Sequence, residues 1–454
     1  MKKFFLLMLV ALVVFSCKTQ APENEQTEDS VHVSVFPEVV KNMTIYEVNI
    51  RQYTPEGTID AFAERLPHLK ELGVDLLWIM PVQPISEKNR KGTLGSYYAV
   101  QNYTDINPEF GTLDDFKEMV SKAHDMGFYV ILDWVPNHTG WDNPWITEHP
   151  EYYAQDSLGN VTYEADWTDI ALLDHSNENL RKEMREKMEF WVRETNIDGF
   201  RCDHAGHEIP MLFWEETIPY LNSIKDLFWL AEWDETKMHS QFHSTYDWEM
   251  HHLTNAVAKG EQPADVLLDH AVKDIEKYGN KAFRMEFITN HDENSWGGTV
   301  FERYGDAHKV YAVFMFTAHG LPLIYSGQEA GLDKRLKFFE KDSIDWSDPK
   351  GMNAFYKSMV ELRKSNPALW SGEYGGDLVV LKDDNEKVIA YSRIKEGNIV
   401  TVLLNTSGED QEVTVHGLGE GSYTDFTGGG EFSAQGAINL PAYGYKILIQ
   451  KDNN

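Results

Sequence analysis

The stretch DGFRCD at residues 198–203 and the stretch FWLAE at residues 228–232 decide the fold of this chain. Each is a short apolar run that ends in a carboxylate, and the run FITNHD at residues 287–292 ends in the same way. This pattern is typical of a buried strand with an acidic side chain at its carboxyl end. In a barrel of parallel strands, these ends meet at one rim. One such run would be an ordinary strand with a capping acid, but three along one chain predict a shared site.

The carboxylates in question are Asp203, Glu232 and Asp292, and three acids at one rim favour the cleavage of a glycosidic bond. Side chains alternate between the two faces of a strand, so Arg201 and Asp203 share a face. We therefore expect Arg201 to hold Asp203 ionised, as a nucleophile requires. The apolar residues before Glu232 predict burial that raises its pKa, which suits a proton donor.

The chain around these runs alternates between strand and helix patterns, which predicts eight strands and eight helices, an α/β fold of the (β/α)8 TIM-barrel type. The predicted strands are Met43–Ile50, Val74–Pro81, Phe128–Val135, Asp198–Asp203, Leu227–Glu232, Ser244–Glu249, Phe283–Asn290 and Leu321–Tyr325. Seven of these helices are assigned to segments of helical period, namely Ile59–Leu72, Leu113–Met126, Leu180–Thr195, Leu212–Ile224, Val266–Tyr278, His308–Ala318 and Ala354–Lys364. Thr112 and Gly127 are the expected start and stop signals of the second of these helices.

Two segments depart from the alternation. Residues 136–177 are polar, aromatic and too long for a loop between a strand and a helix, so we predict a subdomain inserted after the third strand. Beyond residue 371 the helical period ends, and short β-branched runs predict an antiparallel β-sandwich at 372–454. The catalytic barrel is then expected to span 35–371. A sandwich of this kind either supports the barrel or binds glycan.

The composition narrows the class of partner. A net charge of −32 argues against nucleic acid and fits an uncharged ligand. The chain contains 13 Trp and 21 Tyr, enough to supply both a core and rings that stack on sugars. Only Cys17 and Cys202 are present, and Cys202 falls within a predicted strand, so we expect it to be a small core residue. The oligomeric state is left open.

The N-terminus has the pattern of an export signal. Lys2 and Lys3 precede an apolar stretch too short to span a membrane, and VFSC at residues 14–17 resembles a lipoprotein cleavage box. We predict a lipoprotein signal peptide at 1–17 and a flexible acidic tether at 18–34. The protein would then be exported and lipid-anchored to a bacterial membrane through Cys17 alone. The alternative is an ordinary signal peptide that happens to contain a cysteine.

Four segments together resemble the conserved regions of the α-amylase family of retaining glycoside hydrolases. They are DWVPNH at 133–138, GFRCDHAGH at 199–207, Glu232 in its setting, and FITNHD at 287–292. The resemblance runs from about residue 43 to the C-terminus, and the order and spacing of the segments match. It implies that Asp203 is the nucleophile, Glu232 the acid/base, and Asp292 the carboxylate that stabilises the transition state.

The resemblance also implies roles in substrate binding. Arg201 would orient Asp203, His138 and His291 would hydrogen-bond the sugar in the cleavage subsite, and Tyr98 would stack under that sugar. The neighbouring Tyr97 could take the stacking role instead. Either histidine could also be a purely structural residue.

A calcium ion is a further implication of the resemblance. Asn137, Asp174 and the carbonyl of His207 fit a set of oxygen ligands for Ca²⁺, although structural hydrogen bonding would explain the same residues. One position departs from the family pattern, since Gly206 stands where many amylases have a lysine that contacts sugar on the leaving-group side. Stacking by Trp233, Trp141 or Trp145 could replace it, and packing of the insertion is the alternative role for these rings.

The expected activity is hydrolysis of α-1,4-glucosidic bonds in starch-like glucans or maltooligosaccharides, with retention of anomeric configuration. A glucanotransferase would use the same residues, so the sequence leaves that alternative open. A non-catalytic glucan-binding surface lipoprotein is a third possibility, but such a protein has no need for the complete set Asp203, Glu232 and Asp292.

Overall fold

Eight parallel strands form a closed barrel in this computed structural model, which describes residues 34–36, 38–418, 422–433 and 436–451. The strands are β1 (Ile45–Val48), β2 (Leu76–Ile79), β3 (Tyr129–Trp134), β4 (Gly199–Cys202), β5 (Phe228–Ala231), β6 (Ser244–Tyr246), β7 (Phe283–Glu286) and β8 (Leu321–Tyr325). They pair in chain order, and β8 closes the barrel against β1. The predicted TIM barrel is confirmed. The predicted signal peptide, and the tether up to residue 33, lie outside the described residues.

Side-chain alternation fills the barrel with apolar layers below a polar rim. The inner layers are built from Ile45, Leu76, Trp78, Ile131, Phe228, Leu230, Tyr246, Phe283, Met285, Leu321 and Leu323. Above them Asp133 of β3 pairs in register with Arg201 of β4, so both side chains reach the rim from one layer. Gly199 begins β4 with φ of +155°, and a Cβ there would lie 1.9 Å from the Phe228 carbonyl oxygen. Only glycine lets β4 and β5 approach so closely.

The helices surround the barrel. They are Ile50–Tyr53, Ile59–Ala63, Leu66–Leu72, Leu113–Asp125, Trp145–Glu148, Glu178–Thr195, Met211–Asn222, Trp248–Ala258, Val266–Tyr278, Val300–Tyr304, His308–Thr317 and Met352–Ser365. Among the described residues no helix is long and apolar enough to cross a bilayer. The predicted start at Thr112 is confirmed, because Thr112 and Asp115 form a reciprocal capping box.

Three details of the predicted elements were wrong. The helix predicted at 59–72 is two helices, because Pro67 has no N–H to continue the hydrogen-bond ladder across the break. The strand predicted at 244–249 ends at Tyr246, since Asp247 caps a new helix by accepting the Met250 N–H. The count of one helix after each strand fails between β5 and β6, where the connection contains the 3₁₀ turn Thr236–Ser240.

The segment 136–177 forms a small unit of its own over the mouth of the barrel. It contains a hairpin of His138–Gly140 and Ile170–Leu172, the helix Trp145–Glu148 and the turn Pro150–Tyr152. Tyr103 donates a hydrogen bond from its hydroxyl to the carbonyls of Val135 and His138, at 2.8 and 3.0 Å. That contact fixes the point where β3 leads into the insertion.

The C-terminal region is an antiparallel β domain, as predicted. A six-stranded sheet contains Asp377–Val380, Val388–Lys395, Asn398–Asn405, Ser422–Asp425, Glu431–Ser433 and Tyr445–Lys451. Two-residue alternation gives the sheet two apolar faces: Tyr391 and Val402 join the main core around the barrel, whereas Ala390 and Leu403 face a separate core. Short strand pairs, Gln411–Val413 with Ile438–Leu440 and Lys382–Asp383 with Val415–His416, add two smaller sheets to the domain.

Candidate active site

Arg201 lies at the centre of the polar rim and contacts three carboxylates. Its Nη1 is 2.9 Å from Asp203 Oδ1 and 2.9 Å from Asp133 Oδ1, and its Nη2 is 3.0 Å from Glu232 Oε2. The predicted contact between Arg201 and Asp203 is therefore present. The strand register explains the arrangement, because Asp133 and Arg201 are paired residues and Glu232 follows β5 on the other side.

The guanidinium of Arg201 is fully buried, which is tolerated only because its charge is balanced. Its centre lies 4.8 Å from the Trp78 ring and 5.6 Å from the Tyr246 ring, and its Nε donates to the Tyr246 hydroxyl at 3.1 Å. Burial alone would lower the pKa of Arg201, but the carboxylates of Asp133 and Glu232 raise it well above its ordinary value. Arg201 is therefore a fixed positive charge.

Asp203 and Glu232 form a close pair across the cavity. One carboxylate oxygen from each lies within 4.8 Å of the other. His204, with a left-handed φ of 44°, turns its backbone N–H towards Glu232 and donates to Oε2 at 3.0 Å. A strained backbone directly after a site residue is a common feature of active sites.

The expectation that Glu232 has a raised pKa was wrong. Burial would raise the pKa of Glu232, but Arg201, the His204 side chain and the His204 N–H outweigh it and lower the pKa to about 2. Burial and the negative charge of Glu232 raise the pKa of Asp203 well above its ordinary range, against the opposing effect of Arg201, so the expectation that Arg201 holds Asp203 ionised was wrong. The two acids share one arginine and titrate as a coupled pair.

Tyr98 and His291 form a second connected group beside the pair. The Tyr98 hydroxyl donates to Asp133 Oδ2 at 3.1 Å and contacts His291 Nε2 at 2.8 Å, and the two rings stack at 5.4 Å. His291 Nδ1 lies 2.5 Å from Glu47 Oε1, and Nε2 lies 3.3 Å from Asp292 Oδ2. Burial would lower the pKa of His291, but Asp292 and Glu47 raise it to about 9. His291 is thus an imidazolium at neutral pH.

His138 differs from His291 in charge. Burial and the neighbouring His204 lower the pKa of His138 to about 3, so its ring is neutral. Its Nδ1 donates to Asn137 Oδ1 at 3.1 Å, which leaves Nε2 as the acceptor nitrogen. The two histidines predicted to bind sugar therefore offer different hydrogen bonds.

A cavity of about 670 Å³ brings the predicted site residues together, since Tyr98, His138, Asp203, Glu232, His291 and Asp292 all line it. Tyr97 instead donates from its hydroxyl to Asn49, away from the cavity. Sequence reasoning missed several lining residues, namely Lys91, Trp167, Trp296, Phe338 and Phe339. Lys91, Trp167, Phe338 and Phe339 lie on irregular loops, and Trp296 lies in the short π-helical turn Glu293–Gly297. The signal that could have found Trp296 is its position four residues after Asp292.

The three predicted calcium ligands lie near the base of the insertion. The Asn137 amide nitrogen donates to the His207 carbonyl at 2.8 Å, and Leu173, just before Asp174, donates its N–H to the Asn137 carbonyl. Asp174 Oδ1 accepts the Ser176 N–H at 2.9 Å. All three residues offer the oxygen ligands that Ca²⁺ prefers, but Asn137 would have to present its amide oxygen where its nitrogen now lies.

Gly206 is explained by its neighbour Trp233. A Cβ at residue 206 would lie 2.3 Å from Trp233 Nε1, so the absence of a side chain makes room for the indole. Of the other rings considered for stacking, Trp145 is buried, donates to Glu183 at 2.8 Å and packs between Tyr103 and Tyr152. Trp141 donates to the Thr168 carbonyl at 3.0 Å.

A TIM barrel with close, arginine-bridged carboxylates at the carboxyl ends of its strands defines a glycoside hydrolase. Comparison with known proteins gives the family. Residues 25–168 and 163–376 match the model of the alpha amylase catalytic domain, and residues 378–447 match that of the maltogenic amylase C-terminal domain. The chain belongs to the alpha-amylase family, so the predicted enzyme class is confirmed.

Individual relatives agree with this assignment. Alpha-amylase 2 of Dictyoglomus thermophilum is 26% identical over 430 residues, which cover 87% of this chain and 71% of that protein. A cyclomaltodextrinase of a Bacillus species is 27% identical, over 77% of this chain and 65% of that protein. Among solved structures, the noncanonic maltogenic alpha-amylase AmyB of Thermotoga neapolitana has a TM-score of 0.83 and 28% identity, over 91% of this chain and 99% of that one.

Proposed function

We propose that this enzyme hydrolyses α-1,4-glucosidic bonds in starch-like glucans or maltooligosaccharides and retains the anomeric configuration. The supporting observation is the separation of Asp203 and Glu232, whose nearest oxygens lie within 4.8 Å. Retaining glycosidases place their two carboxyl groups about 5–5.5 Å apart, whereas inverting enzymes leave roughly 6.5–9.5 Å for a water molecule. The relatives are named amylases and a cyclomaltodextrinase, which favours an α-glucan as substrate.

The proposed reaction has two displacements. Glu232 gives its proton to the glycosidic oxygen while Asp203 attacks the anomeric carbon, so the leaving sugar departs with that oxygen as a hydroxyl. Glu232 then takes a proton from water, and the resulting hydroxide displaces Asp203 from the sugar. Each carboxylate returns to its starting state, and the two inversions add up to retention.

The proton must reach Glu232 before the first step. A glycosidic oxygen bound at Glu232 competes with the contact between Glu232 and Arg201, which favours the protonated form of Glu232. Arg201 then stabilises the Asp203 anion at 2.9 Å. Substrate binding would thus set the protonation states that the chemistry requires.

The remaining residues of the group have distinct proposed tasks. Asp292 accepts hydrogen bonds from ring hydroxyls and stabilises positive charge that develops on the sugar. His291, as an imidazolium, donates to a hydroxyl, and the neutral His138 can accept from one. Tyr98 supplies the ring under the cleaved sugar and is held by Asp133.

Two further proposals concern the inserted subdomain and the N-terminus. We propose a structural calcium ion held by Asn137, Asp174 and the His207 carbonyl, on the basis of their oxygen chemistry. We also propose export and a lipid anchor on Cys17, on the basis of the cleavage-box pattern.

The test is ¹H NMR of maltotetraose during its cleavage by the wild type, with Glu232→Gln as the control. We expect the α-anomer of the new reducing end to form first and to mutarotate afterwards. Products longer than the substrate would indicate a glucanotransferase. First formation of the β-anomer, or a Glu232→Gln rate above about a tenth of the wild-type rate, would overturn the proposal.

A further inference from the structure

Trp296 is a large aromatic side chain that remains 57% exposed at the rim of the active-site cavity. It belongs to a single π-helical turn, Glu293–Gly297, that begins directly after Asp292. Such turns are frequent at functional sites. An exposed tryptophan whose ring lines the active-site cavity offers an apolar face on which a sugar ring can stack.

This turn is held firmly against the loop after β8. Asn294 donates from its amide to the Lys334 carbonyl at 3.1 Å and accepts the Leu336 N–H at 2.8 Å. The Ser295 hydroxyl donates to the Leu336 carbonyl at 3.1 Å. The position of the exposed ring is therefore fixed by both of the residues that precede it.

The Trp296 ring continues a series of rings that starts at the catalytic group. Tyr98 stacks on His291 and also on Phe338, whose centroid is 6.3 Å away at an angle of 12°. Trp296 lies 5.4 Å from Phe338 and 5.8 Å from Phe339. We call Trp296, Phe338 and Phe339 the aromatic platform.

The aromatic platform lies on the side of the cavity that keeps the cleaved sugar. Glu232 accepts the His204 backbone N–H, and the His204 ring lies 5.2 Å from Trp167, so in the proposed mechanism the leaving group lies on that side. The platform instead adjoins Tyr98 and His291, to which the proposed function assigns the sugar that becomes attached to Asp203. In an α-1,4-glucan this is the side of the non-reducing end.

The segment 86–96 borders the cavity beside the aromatic platform, and Lys91 and Ser96 line it. Lys91 Nζ is 3.1 Å from Asp169 Oδ1 and donates to the Asp166 carbonyl at 2.8 Å, which ties the segment to the insertion. At the other end, Leu94 donates its N–H to the Phe339 carbonyl at 3.0 Å. A Cβ at Gly92 would lie 2.5 Å from Phe339 Cβ, so the segment packs directly against the platform.

We propose that the aromatic platform binds the sugar next to the cleaved one, and that segment 86–96 ends the site beyond it. The enzyme then takes short α-glucans by their non-reducing ends and releases short products, chiefly of two sugars. This inference rests on the proposed function and adds the direction and length of binding.

The first test compares wild-type cleavage of maltoheptaose with that of maltoheptaose blocked by a 4,6-ethylidene group on its non-reducing sugar. We expect the block to lower kcat/KM by at least about a hundredfold, because the closed site cannot admit the modified end. Equal cleavage of both substrates would overturn the inference while leaving the proposed function intact. Cleavage of neither would overturn both.

The second test measures binding of maltotetraose by calorimetry in the Glu232→Gln background. We expect Trp296→Ala to weaken binding about tenfold and Trp296→Phe to preserve most of it. Tyr220→Ala, which removes an exposed ring on the helix Met211–Asn222, is the matched control and should bind normally. Unchanged affinity in the Trp296→Ala variant, with an unchanged melting temperature, would contradict the role of the platform.

Discussion

Arg201 is the residue on which the electrostatics of the site depend. One buried guanidinium contacts the three carboxylates of Asp133, Asp203 and Glu232 at 2.9 to 3.0 Å. Its charge lowers the pKa of Glu232 against the effect of burial. The protonation states of Asp203 and Glu232 therefore depend on Arg201 as well as on each other.

His291 gives a prediction about pH at the residue scale. Its pKa is about 9 in the folded protein and about 6.5 when unfolded. Because the folded value is raised, its stabilisation is present below pH 6.5 and is lost as pH rises through 9. Relative to His291→Asn, the wild-type free energy of unfolding should fall by at most about 3 kcal/mol between pH 6 and pH 9.5.

Urea unfolding of both proteins at the two pH values measures this difference. His416→Asn, at an exposed strand residue, is the control and should follow the wild type at both. A difference between wild type and His291→Asn that stays constant with pH would show that folding does not raise the pKa of His291.

The sequence predicted some site residues and not others for a physical reason. Asp203 and Arg201 are two residues apart on one strand, so their contact follows from local geometry. The low pKa of Glu232 depends on an arginine from the neighbouring strand, which a local apolar pattern does not reveal. Trp296 and Phe338 meet only through the packing of two loops.

At the element scale, periodic segments were predictable and irregular connections were not. The helix at 266–278 was predicted with the bounds it has, because its apolar face repeats at the helical period. The helix Trp248–Ala258 was missed because it starts immediately after β6, where apolar residues extended the strand pattern. The strand predicted at 283–290 was also too long, since β7 ends at Glu286.

The insertion carries the prediction about calcium. If Asn137, Asp174 and the His207 carbonyl hold the ion, a chelator should lower the melting temperature by roughly 5 °C, because the ion binds only the folded state. Elemental analysis of the purified protein should find one calcium per chain. Scanning calorimetry with and without chelator measures the shift.

The matched control is another aspartate of the same insertion. Asp156 accepts the Leu158 N–H in the same way that Asp174 accepts that of Ser176, both at short range in the sequence. Asp174→Asn should abolish the effect of the chelator and Asp156→Asn should keep it. An unchanged melt of the wild type, with no calcium found, would rule the ion out.

At the level of the whole molecule, one face of the six-stranded C-terminal sheet packs against the barrel. Tyr391 and Val402 lie in the core around the barrel, and Asn398 donates from its amide to Asn366 Oδ1 at 3.1 Å. This packing favours the interpretation that the domain supports the barrel over the alternative that it binds glycan.

Attachment of the whole molecule to a membrane is predicted to depend on Cys17. Cys17→Ser should move the protein from the membrane fraction to the soluble fraction without loss of specific activity, because the barrel begins only after the tether. Lipid labelling of cells that express each form measures the modification. A Cys17→Ser protein that still sediments with membranes, or an unlabelled wild type, would contradict the lipid anchor.

The most direct test of the retaining mechanism is to trap its covalent intermediate. A fluorinated glucosyl inactivator slows the second displacement, so the sugar should accumulate on the nucleophile. Peptide mass mapping should then find one glucosyl group on Asp203 in the wild type and none in Asp203→Asn, which should also lose nearly all turnover. A label on Asp292 or Asp133 would contradict the mechanism.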